Sequence, residues 1–302
     1  MWVIAHKQCV LFASLIFTLT IACNTSDSTK ENELKMDSMN TNTISATAQE
    51  VKGPAGHLYV DDGGRGSKLP ILFVHSFGGN TQHWQNQLEY YRKNRRAIAF
   101  DLRGHGRSAA PENNNYSVEA LAKDIATVVD SLNLDRFILV GHSMGGSAAI
   151  AYAGKHPEKV AGLVITGTPG KSPASVSKPI ISSLESEKYD AVMSQYMDQL
   201  LKDAKPETDK LEREGMNHVS KEASISIIKS VFNYNPVPDL HRYPGPELII
   251  SRSGDEQPNS LHSEFPTIPY RTVEGTSHWI QLDKPAEFNR LLDEFLRRVE
   301  KR

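Results

Sequence analysis

Phe137-Ile138-Leu139-Val140-Gly141-His142-Ser143-Met144-Gly145-Gly146 is the stretch from which the fold is read. Its four apolar residues, closed by a glycine, have the length and composition of a buried strand. The residues from Ser143 to Ala153 are rich in Ala, Gly and Ile and read as a helix packed tightly on that strand. Strand and helix meet at Gly141-His142-Ser143-Met144-Gly145, a serine flanked two residues away on each side by glycine. At a sharp, strained turn a Cβ at either flanking position would strike the neighbouring strand or helix, so glycine there lets the serine Oγ project. A hydroxyl presented in this way is a candidate nucleophile.

Outward from this turn, short apolar runs alternate with helical patterns. Residues 70–77, 96–101, 160–166, 246–251 and 269–273 read as further strands. Residues 118–132 place Leu121, Ile125, Val128, Val129 and Leu132 on one helical face, and 285–299 do the same with Phe288, Leu291, Leu292 and Phe295 behind a Pro285 start. The alternation predicts an α/β domain with a mostly parallel central sheet and flanking helices. The interval 171–241 breaks it: Ser- and Lys-rich, with helices expected near 189–201 and 222–232 and no strand. It reads as an inserted helical cap above the carboxyl ends of the strands, where open α/β sheets place their ligands. In it Tyr189, Met193, Tyr196 and Met197 fall at helical spacing, which suits either pocket lining or packing onto the core.

The chain opens differently. An apolar run over 9–22 has the length of a signal-peptide core and is short for a membrane span. It ends in Leu19-Thr20-Ile21-Ala22-Cys23, which resembles a bacterial lipobox whose Cys is diacylated after cleavage; as an ordinary secretory signal the same run gives Cys23 no role. The polar residues that follow have too little apolar surface to offset their ordering entropy. The expected organisation is a signal peptide at 1–22, a lipidatable Cys23 with a tether to 53, and the α/β domain over 54–302. The domain would then sit at the bacterial cell envelope, held to a membrane by the lipid on Cys23.

Composition narrows the chemistry. The 34 Lys plus Arg are scattered and balanced by 36 Asp plus Glu, so no basic footprint for nucleic acid exists. Both cysteines, Cys9 and Cys23, precede the domain, which excludes a disulfide framework or a Cys-based metal site within it. No zinc-type His cluster, P-loop or dinucleotide Gly-x-Gly-x-x-Gly stands at a strand end, so neither a metal nor an organic cofactor is implied.

Four more stretches complete a pattern. In order they are Leu72-Phe73-Val74-His75-Ser76-Phe77-Gly78-Gly79, Phe100-Asp101-Leu102-Arg103-Gly104-His105-Gly106-Arg107-Ser108, Ile249-Ile250-Ser251-Arg252-Ser253-Gly254-Asp255 and Gly275-Thr276-Ser277-His278-Trp279. With the Ser143 turn as the nucleophile elbow, these resemble the oxyanion loop, the following turn, the acid loop and the histidine loop of the α/β-hydrolase family, over about residues 54–302. The resemblance implies Ser143 as nucleophile, His278 as its base and Asp255 as the acid that orients the imidazole. Glu256 is the neighbouring alternative acid, and Asp239 lies far upstream. The resemblance further implies an oxyanion hole from the backbone N–H groups of Met144 and Phe77. Ser76 stands where the family commonly has glycine, and either shifts the loop or lends its hydroxyl. Asp101 reads as a turn cap, and His75, His105 and His142 as structural residues of glycine-rich turns. Haloalkane dehalogenases and epoxide hydrolases of this fold place Asp at the elbow, so Ser143 points to acyl transfer on a small ester or lactone. Carbon–carbon bond hydrolysis, cofactor-free perhydrolysis or a non-catalytic binding module are the alternatives.

Overall fold

Eight strands form one sheet among the described residues of the computed structural model, which are 46–255 and 260–301. The expected signal segment 1–22, Cys23 and Glu256 lie outside them. The strands are β1 (Ala46–Gly53), β2 (Gly56–Gly63), β3 (Ile71–Val74), β4 (Ala97–Phe100), β5 (Phe137–His142), β6 (Val160–Thr166), β7 (Glu247–Arg252) and β8 (Tyr270–Val273). Their order is β1-β2-β4-β3-β5-β6-β7-β8. β2 runs antiparallel to β1 and β4, and the other neighbours are parallel.

Side-chain alternation explains the layers. Ile71, Phe73, Ala97, Ala99, Ile138 and Val140 face one side of the sheet, while Leu72, Val74, Ile98, Phe100, Phe137 and Leu139 face the other. Both faces are covered, so the central strands are apolar throughout, as parallel strands buried on both sides must be. On the first face lie α1 (Gln85–Tyr91) and the long amphipathic α11 (Pro285–Val299), which buries Phe288, Leu292 and Phe295. The second face carries α2 (Val118–Ser131), begun by Ser117, whose hydroxyl accepts from Ala120 N–H, and α3 (Met144–Ala153). Every residue of α3 is buried, which accounts for its lack of an amphipathic stripe.

The interval between β6 and β7 is helical: α4 (Ala174–Leu184), α5 (Tyr189–Leu200), α6 (Pro206–Met216), α7 (Lys221–Asn233) and α8 (Val237–Arg242). The two short helices α9 (Leu261–Glu264) and α10 (Ile280–Asp283) follow β7 and β8. The tether reading needs correction at its end, because residues 46–53 form β1 and pair with β2 from Ala46↔Gly63 to Gly53↔Gly56. Thr47, Ala48, Glu50 and Lys52 are exposed there and Val51 packs against the core, so the strand rests mainly on its main-chain ladder and leaves a weak hydrophobic trace in the sequence.

Candidate active site

Ser143 stands between β5 and α3 with φ 52° and ψ −116°, a conformation that a residue with a Cβ adopts only under constraint. The constraint is visible: its N–H donates to Thr166 O at 2.9 Å and its carbonyl accepts Ser147 N–H at 3.0 Å. The flanking glycines are sterically required. A Cβ on Gly141 would stand 2.7 Å from Gly145 O, and one on Gly145 would stand 2.7 Å from Val74 O. Ser143 Oγ does not cap its helix, and the residue faces a cavity of about 330 Å³.

That cavity gathers the residues expected of the site. Phe77, Ser143, Met144, Asp255 and His278 all line it. They are not joined into a hydrogen-bonded relay, however. Asp255 Oδ1 accepts from Arg252 Nε at 2.9 Å, and among the described residues no hydrogen bond links His278 to Asp255 or to Ser143. Asp255 acts on His278 through its charge, which favours the imidazolium, while Arg252 opposes it; burial outweighs both and holds His278 down to about 4. Its Nε2 is buried without a hydrogen-bond partner among the described residues.

The histidine loop is fixed from two directions. His278 N–H donates to Leu200 O at 3.0 Å, and Arg252 Nη1 reaches the same carbonyl at 3.3 Å, so the end of helix α5 anchors both the His278 loop and the Arg252–Asp255 loop. From the core, His142 Nε2 stands 3.0 Å from His278 O and must donate to it. His142 Nδ1 is then an acceptor, taking the Gln281 Nε2 hydrogen at 3.2 Å. Burial keeps His142 well below its ordinary value, in keeping with this neutral tautomer.

The oxyanion loop shows what Ser76 does. Its Oγ accepts from Trp279 Nε1 at 3.1 Å, tying the loop to the residue after His278. His75 Nδ1 donates to Ser76 O at 2.7 Å and its Nε2 accepts Leu102 N–H at 2.9 Å, so His75 is structural, as expected. Asp101 accepts from the N–H groups of Thr81 at 2.7 Å and Arg107 at 2.8 Å, the turn-capping role read from the sequence. His105 Nδ1 donates to Arg103 O at 3.0 Å. Asp239 is taken up by Tyr234 Oη at 2.7 Å and by Arg242, away from the cavity lining.

The cap stripe divides. Met193 and Met197 are buried in packing clusters, Tyr189 lies under Lys221 Nζ at 4.9 Å, and only Tyr196 of the four lines the cavity. The apolar roof comes instead from Leu200 and from Ile227, Ile228, Val231 and Phe232 of α7. Sequence reasoning missed Arg252, Gln281 and Trp279 as supports of the site, because their partners are set by loop conformation and not by a motif. Among the described residues no group of three or more His, Cys, Asp or Glu side chains is arranged to hold a metal ion.

Comparisons with known proteins agree on the architecture. Residues 70–218 match the family model described as alpha/beta hydrolase fold. Epoxide hydrolase 3 of Xenopus tropicalis is 27% identical over 279 residues, spanning 79% of this chain and 74% of its own. Among solved structures, an esterase from Thermogutta terrifontis superposes with a TM-score of 0.70 at 23% identity, covering 84% of this chain and 99% of its own. An enol-lactonase from Burkholderia xenovorans LB400 superposes with a TM-score of 0.71 at 23% identity, covering 82% and 99%. By its sheet, its strand-turn-helix at Ser143 and the match over residues 70–218, the chain is a protein of the α/β-hydrolase fold.

Proposed function

We propose that this protein is a serine hydrolase that cleaves a small carboxylic ester or lactone through an acyl-enzyme. The observation that carries the reading is Ser143 held at φ 52° on a cavity that is also lined by His278, whose buried Nε2 has no hydrogen-bond partner among the described residues. Neutral imidazole accepts the Ser143 proton as Oγ attacks the acyl carbonyl. The Asp255 carboxylate favours the imidazolium so formed. The N–H groups of Met144 and Phe77 face the developing oxyanion; its collapse breaks the ester C–O bond, the alkoxide takes the imidazolium proton and leaves as the alcohol, and water, deprotonated by the same His278, then attacks the acyl-enzyme and frees the acid and Ser143. The apolar roof of α7 receives the acyl chain. A serine at the elbow supports this route over the alkyl-enzyme ester that an aspartate there would form, despite the likeness to an epoxide hydrolase.

The test is turnover of p-nitrophenyl esters of increasing chain length and of lactones by wild type, Ser143→Ala and His278→Ala. Each variant is expected to lose on the order of 10⁴- to 10⁶-fold in kcat because triad members act as a unit. Retained hydrolysis by Ser143→Ala overturns the mechanism.

We also propose that residues 1–22 are cleaved and that Cys23 carries the lipid that holds the domain at a bacterial membrane. The support is the adjacency in the sequence of a short apolar run, Ala22-Cys23 and a polar segment. Two acyl chains anchor firmly where one is marginal. Labelled palmitate is expected in wild type and not in Cys23→Ser; an unlabelled, fractionating-as-soluble wild type contradicts the anchor.

A further inference from the structure

The oxyanion loop, residues 76–79, is clasped by the cap as well as by the core. His83, in the 3-10 turn Thr81–Trp84, lies directly against it: a Cβ on Gly79 would stand 2.6 Å from His83 Nδ1. From the cap, α6 rests on the loop's other glycine, since a Cβ on Gly78 would meet the Met216 side chain and one on Gly215 would meet Gly78 O. One helical turn before Met216, on the same face of α6, is Glu212. Its Oε1 stands 3.2 Å from His83 Nε2, with both side chains 0% exposed. Neither side chain has a hydrogen-bond partner among the described residues, so each is the other's one polar neighbour at close range without an aligned hydrogen bond between them. A carboxyl at full burial is costly unless it is paired, and a leucine would fill the same place. Packing therefore does not account for Glu212.

We propose that Glu212 is a positioning residue for the reaction: paired with His83, it clamps cap helix α6 onto the oxyanion loop and so fixes the Phe77 N–H that faces the oxyanion. The inference rests on the serine-hydrolase reading above. Burial, reinforced by the charge of Asp283, pushes the Glu212 carboxyl well above its ordinary range. Burial, with His75 and His105 beside it, pulls His83 down to about 3; His142 also faces His83. Burial thus favours the neutral form of both groups, and a proton shared across the 3.2 Å approach would satisfy them together. Because Glu212 is raised, the clamp is intact at lower pH and is lost as pH rises through the folded-state value.

The experiment measures kcat and KM for p-nitrophenyl esters, and the rate of fluorophosphonate labelling, in wild type, Glu212→Ala and Glu212→Gln. Displacing the loop is expected to cost Glu212→Ala about 10- to 100-fold in kcat and in labelling rate, with KM little changed. Glu212→Gln, whose amide can donate to His83 and cannot ionise, is expected to recover most of the loss and to lack the alkaline fall in kcat expected of wild type. Wild-type kcat in Glu212→Ala overturns the clamp, as does an alkaline limb in Glu212→Gln that superimposes on that of wild type. If Glu212→Ala does not fold, that comparison of alkaline limbs decides alone. A wild type inert to fluorophosphonate overturns the hydrolase reading and the clamp with it, whereas a reactive wild type with an indifferent Glu212→Ala overturns the clamp only.

Discussion

Replacing Ser143 with glycine should stabilise the protein while destroying its activity, and the size of the gain follows from the backbone at the elbow. Ser143 holds φ 52° and ψ −116°, pinned by Thr166 O on one side and Ser147 N–H on the other. A non-glycine residue kept in so sparse a region costs about 1–3 kcal/mol. Glycine removes that strain but loses about 0.4–1 kcal/mol through its freer unfolded chain. The net gain is roughly 0–2.6 kcal/mol, which for a domain of this size raises Tm by up to about 10 °C. Ser143→Ala is the control, because it lacks the hydroxyl but keeps the Cβ and therefore the strain. Ser143 lines the cavity and makes no capping bond, so removing Oγ opens no hole in the core. Scanning calorimetry of the two inactive variants at one scan rate isolates the backbone term. A Ser143→Gly protein that melts below Ser143→Ala would refute the strained elbow.

Three further outcomes are expected. The acid limb of kcat/KM should fall near pH 4, since a protonated His278 cannot take the serine proton and burial holds it at about 4; Arg252→Leu should move the limb upward, because the guanidinium holds His278 down, and an unmoved limb near the ordinary histidine value contradicts this. Trp279→Phe deletes the donor to Ser76 Oγ and should cost about 1–3 kcal/mol in denaturant unfolding and lower kcat more than KM. Val231→Trp should narrow the apolar roof and suppress turnover of long-chain esters while sparing acetate, read from the chain-length panel.

How far the sequence revealed this molecule depends on where the stabilising contacts run. β5, the Ser143 turn and α3 were legible because an apolar run, two sterically required glycines and an Ala-rich helix are contiguous. The central strands followed for the same reason, with their ends shifted by no more than three residues. The hairpin of β1 and β2 was not read, because β1 is an edge strand whose outward residues are polar; the buried Leu58, Tyr59 and Val60 of β2 were the signal available. In the cap, the stripe on α5 was visible but its orientation was not, and the roof comes mainly from Ile227, Ile228, Val231 and Phe232 on α7. The supports of the site were beyond reach for a different reason. Trp279 on Ser76 and Glu212 against His83 depend on tertiary approach, which no local pattern encodes, while Arg252 on Asp255, only three residues apart, depends on the conformation of their loop.

The central claim is that Ser143 is a nucleophile activated by His278. Its most direct test is to treat the purified protein with a fluorophosphonate and map the adduct by peptide mass spectrometry. One stoichiometric adduct on Ser143 is expected, formed by wild type and lost in His278→Ala. A folded wild type that stays unmodified, or an adduct on any other residue, would contradict it.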